Sequence, residues 1–223
     1  SAAPRTVSNF RSAASTLFKF AEARGYIARG KNPVIGTEKI KSKNGNPIEI
    51  YSPDEIRKLL KSESPDIRVI IALQAFAGIR SQEALRLHWE DIKRDRGHIE
   101  LGADKAKTAS RRIVPILPNL AVWLKGTEKK KGLIFKPNNL TAFDRRMNAE
   151  AFDPAKVKRK DNALRHSFIS YRVADTQNVA QVALEAGNSP AMIFQHYREL
   201  VTADDAKKWF SIMPEPIKKQ AKS

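Results

Sequence analysis

The protein has 223 residues, with 41 Lys and Arg against 24 Asp and Glu, which gives a formal net charge of +17. Hydrophobic residues make up 41% of the chain and can build a core, so the composition excludes a disordered basic tail. The longest apolar stretch, residues 69–78, is too short to span a bilayer. The absence of cysteine excludes disulfides, thiolate metal sites and cysteine nucleophiles. A folded chain with this charge is expected to bind an anionic partner. Nucleic acid is the first candidate, and an acidic membrane surface or charge for solubility alone are the alternatives.

The basic residues are concentrated in stretches that are also rich in turn-forming residues. One lies between Arg29 and Lys43, and another runs from Lys105 to Arg112. Two more are residues 129–131 and residues 156–160. Because these stretches do not follow one helix face, they predict several loops that face a single partner.

The N-terminal part of the chain predicts one helix and a linker. Apolar residues recur at helical spacing over residues 7–25, and Gly25 is a suitable stop. Residues 27–50 are rich in Gly, Asn, Pro and Lys and are expected to be extended. A single amphipathic helix cannot bury its own apolar face. This helix is therefore expected either to end a truncated domain or to pack on the main body.

The rest of the chain predicts helices interrupted by a few strands. Residues 52–55, Ser-Pro-Asp-Glu, form a capping box that starts a helix. Strands are predicted over 99–101 and 113–116, joined by the basic loop 104–112, and a short third strand over 134–135. Further helices are predicted over 65–76 (ended by Gly78), 81–87, 140–151, 162–175, 177–186, 190–199 and 203–212. The predicted fold is mainly α with a small antiparallel β-sheet.

Several familiar kinds of catalytic site are absent from the sequence. The ten glycines are scattered and form no phosphate-binding loop. The four histidines have no metal-ligand spacing, and no serine lies in a nucleophile elbow. The chain is therefore expected to need no metal and no nucleotide cofactor.

Four separated segments instead carry a recognisable set of residues. They are residues 77–92 (AGIRSQEALRLHWEDI), 105–116 (KAKTASRRIVPI), 162–168 (NALRHSF) and 185–190 (EAGNSP), the last followed by His196-Tyr197. In this order the segments resemble the catalytic domain of the tyrosine recombinases, the phage integrase family. The resemblance covers about residues 52–197, and residues 7–34 look like the last helix of the family's core-binding domain.

The resemblance implies a site-specific recombinase or integrase that cleaves and rejoins duplex DNA through a 3′-phosphotyrosyl intermediate. Tyr197, nine positions after Asn188, matches the nucleophile. Arg80 and Arg165 match the two arginines that bind the phosphate, a task suited to planar, always charged guanidinium groups. Lys107 matches the general acid for the 5′-oxygen leaving group.

Other residues of the segments have supporting roles in this interpretation. Glu83 is expected to orient Arg80 or the neighbouring backbone, and Trp89 and Asp91 are expected to be structural. Backbone phosphates of DNA are expected to contact Lys105, Arg111, Arg112, Lys41 and Lys43.

Two catalytic positions, Asn162 and Asn188, depart from the family pattern. The family usually has His at the first and His or Trp at the second. Asparagine can donate a hydrogen bond to a phosphate oxygen, but it cannot accept and release a proton near pH 7. His166 follows four residues after Asn162 and would share its helix face. It either substitutes in part for the missing base or packs beneath Arg165, and we favour the packing role. His196 is assigned no role.

The expected organisation has four parts. Residues 1–34 are the last helix of a truncated core-binding clamp, residues 35–51 a linker, residues 52–200 the catalytic domain and residues 201–223 a C-terminal tail helix. The tail packs either on a neighbouring protomer of a DNA-bound tetramer or on its own core. The expected partner is double-stranded DNA and not a membrane. With no signal peptide pattern in the sequence, the expected location is the cytoplasm, in association with the nucleoid, and the origin prokaryotic or phage.

Two other functions stay open at the level of sequence. The first is a catalytically impaired relative that binds DNA as an architectural or regulatory protein, for which Asn162 and Asn188 are the reason. The second is a topoisomerase with the type IB mechanism, which shares the same residues. Such an enzyme would relax supercoils without a specific site, whereas a recombinase requires a pair of sites.

Overall fold

A computed structural model of the chain describes residues 3–38, 48–102, 111–127, 130–136, 139–197 and 201–215. The chain divides into two compact units, residues 1–47 and residues 48–223. Lys41, Lys43, Lys105 and Lys107, four of the predicted DNA-contacting or catalytic residues, lie outside the described residues.

The first unit is built around helix α1 (Pro4–Ala23). It begins earlier than predicted, with Pro4 in the first turn, where its missing N–H costs no hydrogen bond. Residues 32–37, which the sequence predicts to be extended, form turns against α1 instead. Arg11 donates to the carbonyl oxygen of Val34 (3.0 Å) and to Oγ1 of Thr37 (2.9 Å). These bonds from a helix side chain give the following segment a defined fold.

The second unit is mainly helical. Its helices are α2 (Pro53–Leu59), α3 (Pro65–Ala77), α4 (Ser81–Ala84), α5 (Pro118–Trp123), α6 (Leu140–Met147), α7 (Asp153–Ala155), α8 (Ala163–Thr176), α9 (Val179–Ala186), α10 (Pro190–Tyr197) and α11 (Ala203–Phe210). A 3₁₀ turn spans Trp89–Asp91, and a π-helical turn spans Asn148–Phe152. The predicted capping box is confirmed, because Ser52 and Glu55 each accept a hydrogen bond from the other's backbone N–H.

The small sheet is antiparallel in the order β1 (Ile92–Lys93), β2 (His98–Leu101) and β3 (Arg112–Pro115). Ile99 on β2 lies opposite both Ile92 and Val114. The predicted pairing of β2 with β3 is confirmed, but the prediction of a strand over residues 134–135 is wrong. Leu133 forms an isolated bridge with His88, and the apolar residues that follow it pack into the core without a strand. Two buried residues in an irregular segment give the same apolar pattern as a short strand.

Helices α3 and α8 pack against each other at the centre of the second unit, and α11 packs on α8. Trp209 on α11 is fully buried. Its indole N–H donates to the carbonyl oxygen of Ala75 (3.0 Å), and its ring stacks on Tyr171 at 4.2 Å. A buried indole with its donor satisfied is a strong anchor, so the tail helix packs on its own core. The predicted fold class, mainly α with a small antiparallel sheet, is confirmed.

Tyr51 ties the segment before α2 to the second unit. Its backbone N–H donates to Ser167 Oγ (2.7 Å), and its carbonyl oxygen accepts from the Tyr171 hydroxyl (3.0 Å). The side chain is fully buried. Residues 48–51 therefore belong to the folded second unit, although the sequence places them in the linker. In the parts of the chain that the structure describes, no helix has the length and apolar character needed to cross a membrane.

Candidate active site

Residues from three of the four sequence segments line one cavity of about 650 Å³ in the second unit. Among them are Arg80, Asn162, Arg165, His166, Asn188 and Tyr197. The residues come from the turn before α4, from the start of α8, from the turn after α9 and from the end of α10. The fold thus brings together side chains that are far apart in the sequence, as a shared phosphate site requires.

Arg165 lies at the base of the cavity and is only 7% exposed. Its guanidinium donates to the carbonyl oxygens of Gly78 and Ala186, the latter at 2.5 Å. Gly78 ends α3 with a φ of 62°, and a Cβ there would overlap the ring of Phe168, so this turn requires glycine. Burial, followed by the charges of Arg80 and Arg112, lowers the pKa of Arg165 to about 9. The side chain is therefore cationic at neutral pH.

Arg80 precedes α4 and is partly exposed to the cavity. Its guanidinium donates to Oε1 of Glu83 (2.9 Å) and to the carbonyl oxygen of Gly187 (2.5 Å). The side chain is 21% exposed. Arg80 is therefore held on one side by the protein and keeps part of its surface for a ligand.

Asn188 connects the two arginines. Its Oδ1 accepts from Arg80 (3.0 Å) and from Arg165 (2.8 Å). Because guanidinium groups only donate, the amide oxygen faces them and the amide nitrogen is the remaining donor. An amide oxygen has two lone pairs, whereas a histidine ring nitrogen has one. Asparagine at this position therefore accepts from both arginines, where the family's usual histidine could accept from one.

Glu83 and Arg112 form a buried ion pair behind Arg80. The Arg112 guanidinium donates to both carboxylate oxygens of Glu83 (2.8 and 2.7 Å), and Glu83 also accepts from the backbone N–H of Arg80 (2.9 Å). Burial alone would raise the pKa of Glu83, but Arg112 and then Arg80 lower it to about 2. The Arg112 side chain is only 8% exposed. It is thus directed inward to Glu83 and not outward to a DNA phosphate, as the sequence had suggested.

Tyr197, the last residue of α10, forms a hydrogen bond with His166 and is 5% exposed. Its Oη lies 2.6 Å from Nδ1 of His166, and the two ring centres are 5.6 Å apart. The favoured packing role for His166 beneath Arg165 did not anticipate this contact. Consecutive side chains on a helix point about 100° apart, so His166 faces α10 while its neighbour Arg165 faces the turns after α3 and α9.

The protonation states of the pair follow from its surroundings. Burial, followed by the charge of Arg165, lowers the pKa of His166 to about 4, so the imidazole is neutral at pH 7. Burial raises the pKa of Tyr197, although Arg165 and Arg80 offset part of this effect. At neutral pH the pair is therefore a protonated hydroxyl beside a neutral imidazole.

Asn162 and Arg111, two further predicted site residues, are both exposed. Asn162 occupies the position before α8 in a left-handed conformation (φ 53°), which asparagine tolerates. Its carbonyl oxygen accepts from the backbone N–H of His166 (2.9 Å). Arg111 is exposed next to the start of β3. Among the described residues, no three His, Asp or Glu side chains lie together as metal ligands would.

The fold is shared with solved structures of integrases, including the following three. The integrase from mycobacterium phage Brujita is 16% identical, with 97% of this chain and 76% of that chain covered and a TM-score of 0.57. A lambda integrase dimer bound to a COC′ core site is 18% identical, with 89% and 75% covered and a TM-score of 0.65. The Tn1549 transposon integrase in complex with a circular intermediate DNA is 16% identical, with 91% and 77% covered and a TM-score of 0.66. At these identities the likeness concerns the fold. No curated protein sequence matches the chain.

The fold is shared with integrases, and its cavity brings a tyrosine and two arginines together. The model of the phage integrase family matches residues 50–195, and the chain belongs to this family. Members of the family are tyrosine recombinases that cleave and rejoin DNA at specific sites. This chain is accordingly a site-specific recombinase that acts on DNA.

Proposed function

We propose that the chain cleaves and rejoins duplex DNA through a 3′-phosphotyrosyl bond on Tyr197, with the scissile phosphate held by Arg80 and Arg165. The observation that supports this assignment is the double hydrogen bond of Asn188 Oδ1, which fixes the two guanidinium groups side by side on the cavity that Tyr197 also lines. Preorganised donors of this kind stabilise the charge that develops on the nonbridging oxygens during attack.

The proposed reaction balances without an external energy source. Tyr197 Oη loses its proton to a base and forms a bond to phosphorus, the bond from phosphorus to the 5′-oxygen breaks, and the 5′-oxygen takes a proton from Lys107. The phosphotyrosyl bond conserves the energy of the broken phosphodiester. A 5′-hydroxyl from the partner strand then attacks the same phosphorus and releases Tyr197.

We assign Arg112 to the positioning of Glu83 and, through it, of Arg80. Both terminal nitrogens of the Arg112 guanidinium are used by the Glu83 carboxylate, and its Nε donates to the carbonyl oxygen of Glu185 (3.2 Å). Contacts to the DNA backbone remain proposed for Arg111, Lys105, Lys41 and Lys43.

We further propose that the helix of the first unit belongs to a core-binding clamp, that the second unit, residues 48–223, contains the catalytic domain, and that the enzyme acts as a tetramer on DNA. Trp209 holds α11 on its own α3 and α8. We therefore propose that the tail contacts a neighbouring protomer through residues other than Trp209. The proposed location is the cytoplasm of a prokaryotic cell or phage host, on the nucleoid.

A catalytically impaired DNA-binding relative is the second candidate, because Asn162 cannot act as a base. Two contacts favour the active enzyme. Asn188 keeps both arginines in place, and the Tyr197 hydroxyl already has a nitrogen within hydrogen-bond distance.

The experiment that tests the proposal traps the covalent intermediate and identifies the cleaved sequence at the same time. A library of duplexes with randomised core sequences and a nick beside each position lets the cleaved 5′ end diffuse away. Adducts that resist detergent are captured and sequenced, which reveals the recognised sequence. We expect adducts with the wild type and none with Tyr197→Phe or Arg80→Ala, while both variants keep salt-sensitive duplex binding.

The outcomes separate the candidate functions. A wild type that binds duplexes but yields no adduct contradicts the proposal and supports the impaired relative. Adducts spread over unrelated sequences, together with relaxation of supercoiled DNA, would instead indicate a topoisomerase.

A further inference from the structure

Strand cleavage requires a group that accepts the proton of the Tyr197 hydroxyl. A phenol has an ordinary pKa of about 10, and burial raises the pKa of Tyr197 above it. The hydroxyl is therefore protonated at neutral pH and is a weak nucleophile. Asn162 stands where the family usually has His, Asn188 stands where it usually has His or Trp, and an amide does not take up a proton near pH 7.

We propose that His166 is this group: it accepts the Tyr197 proton during cleavage and returns it during rejoining. This inference rests on the proposed function and adds a catalytic residue to it. Its basis is the 2.6 Å distance between Nδ1 of His166 and Oη of Tyr197, which allows direct proton transfer with no bridging water.

The proton transfer completes the balance of the cleavage step. As the bond from Oη to phosphorus forms, the hydroxyl proton moves to Nδ1 and His166 becomes an imidazolium. The 5′-oxygen leaves with a proton from Lys107. In the rejoining step the 5′-hydroxyl of the incoming strand returns its proton to Lys107, and His166 returns its own proton to Tyr197.

The packing around the pair holds the two rings in this arrangement. Tyr197 packs in a buried cluster with Phe168, Ile169 and Ile193. The backbone of His166 is fixed on α8, since its carbonyl oxygen accepts from Ser170 Oγ (2.9 Å). Two successive residues of α8 thus serve opposite ends of the reaction, Arg165 at the phosphate and His166 at the nucleophile.

The surroundings also keep the imidazole unprotonated at neutral pH, as a proton acceptor must be. Burial and then the charge of Arg165 hold the pKa of His166 at about 4 in the free protein. An anionic phosphate bound by Arg165 offsets the second of these effects and makes the imidazole a stronger base. The arrival of the substrate thus strengthens the base that the reaction needs.

The first test compares single-turnover cleavage rates on a nicked duplex that carries the captured site. We expect His166→Ala and His166→Gln to be slower than wild type by about 10²–10⁴-fold, the usual contribution of a general base. Glutamine can still form a hydrogen bond with the tyrosine but cannot take its proton. His196→Gln, which changes an exposed histidine next to Tyr197, is the matched control and is expected to cleave at the wild-type rate. Duplex affinity is expected to be the same in all variants.

The second test distinguishes proton transfer from mere positioning. Replacement of Tyr197 by 3,5-difluorotyrosine lowers the pKa of the nucleophile and with it the need for a base. We expect the rate ratio of wild type to His166→Gln to shrink by about tenfold or more with the fluorinated residue, because a more acidic hydroxyl depends less on its base.

Three results would overturn the inference. The first is a His166→Gln rate within about threefold of wild type, far short of a general-base effect. The second is a rate ratio that fluorination leaves unchanged, which would assign His166 a purely structural role. The third is a wild type without any adduct, which overturns the proposed function itself and so is distinguishable from the other two.

Discussion

The two sides of the cavity are built differently. Arg80 and Arg165 are held by backbone carbonyl oxygens of two helix-terminal turns and by the shared amide of Asn188. Behind them, the buried Glu83 carboxylate joins Arg80 to Arg112. Tyr197, by contrast, is positioned by apolar packing and by the hydrogen bond of its hydroxyl with His166.

The arginine side and the tyrosine side of the cavity have different tasks in the proposed reaction, and their construction differs accordingly. Cationic groups that stabilise a transition state are most effective when they are fixed in advance, because no reorganisation is then needed during the reaction. In the proposed reaction the Tyr197 hydroxyl must change to a phosphate ester and back, so extensive hydrogen bonding to its oxygen would oppose the reaction. We therefore expect substitutions on the arginine side to affect stability and rate together, and those on the tyrosine side to affect rate alone.

The largest expected effect is a loss of stability in Glu83→Gln. This change removes the negative charge from a fully buried position between two arginines. Loss of one partner of a buried ion pair costs about 3–5 kcal/mol of unfolding free energy. Urea denaturation measures the change. Glu63→Gln, at an exposed position, is the control and should stay within about 0.5 kcal/mol of wild type.

The stability of Glu83→Gln relative to wild type is expected to depend on pH. The pKa of Glu83 is lowered from 4.5 to about 2 in the folded state, so its contribution to stability is present above pH 4.5 and is lost as the pH falls towards 2. The stability difference between wild type and Glu83→Gln is therefore expected to shrink by about 3 kcal/mol over this range. An unchanged difference between pH 7 and pH 3 would show that the ion pair does not stabilise the fold.

The second-largest expected effect is a loss of cleavage rate in Arg165→Lys. Lysine keeps the positive charge but lacks the planar fork that serves Gly78, Ala186 and Asn188 at the same time. Loss of a preorganised donor costs about 10²–10³-fold in rate, as measured by single-turnover cleavage. Arg57→Lys, in an exposed pair with Asp54, is the control. Wild-type cleavage by Arg165→Lys would contradict a role that depends on guanidinium geometry.

The smallest expected effect is the change in cleavage rate of Asn162→His, which restores the family's usual residue. If His166 already accepts the tyrosine proton, a second base adds little, and the cleavage rate is expected to change by less than about tenfold, or 1.4 kcal/mol. A rise of more than about a hundredfold from a barely active wild type would favour the impaired relative. The same single-turnover assay gives both answers.

The sequence predicted the structure correctly where signals from neighbouring residues determine it. The capping box at Ser52 and the glycine stop at Gly78 depend on neighbouring residues, and both are present in the fold. The two-residue strand β1 was not predicted, because so short a strand exists only through its pairing with β2. Helix α5 was also missed, since its six residues carry no clear periodicity.

Within the site, motif order pointed to Arg80, Arg165 and Tyr197, but not to how their partners connect. The contact of His166 with Tyr197 depends on how α10 crosses α8, which no local pattern reveals. Arg112 lies in a basic stretch that resembles a DNA-contacting loop, yet it pairs with Glu83, 29 residues earlier in the chain. Sequence spacing pointed to the proposed chemistry, while tertiary packing determines which charged side chains line the cavity and which pair inside the protein.

Identification of the residue that is joined to the DNA tests the proposed reaction most directly. The captured adduct is digested with nuclease and protease, and the modified peptide is sequenced by mass spectrometry. We expect a nucleotide joined through its 3′-phosphate to Tyr197, and no such peptide from Tyr197→Phe. A link to another side chain, or a link through a 5′-phosphate, would contradict the assignment of Tyr197 as the nucleophile.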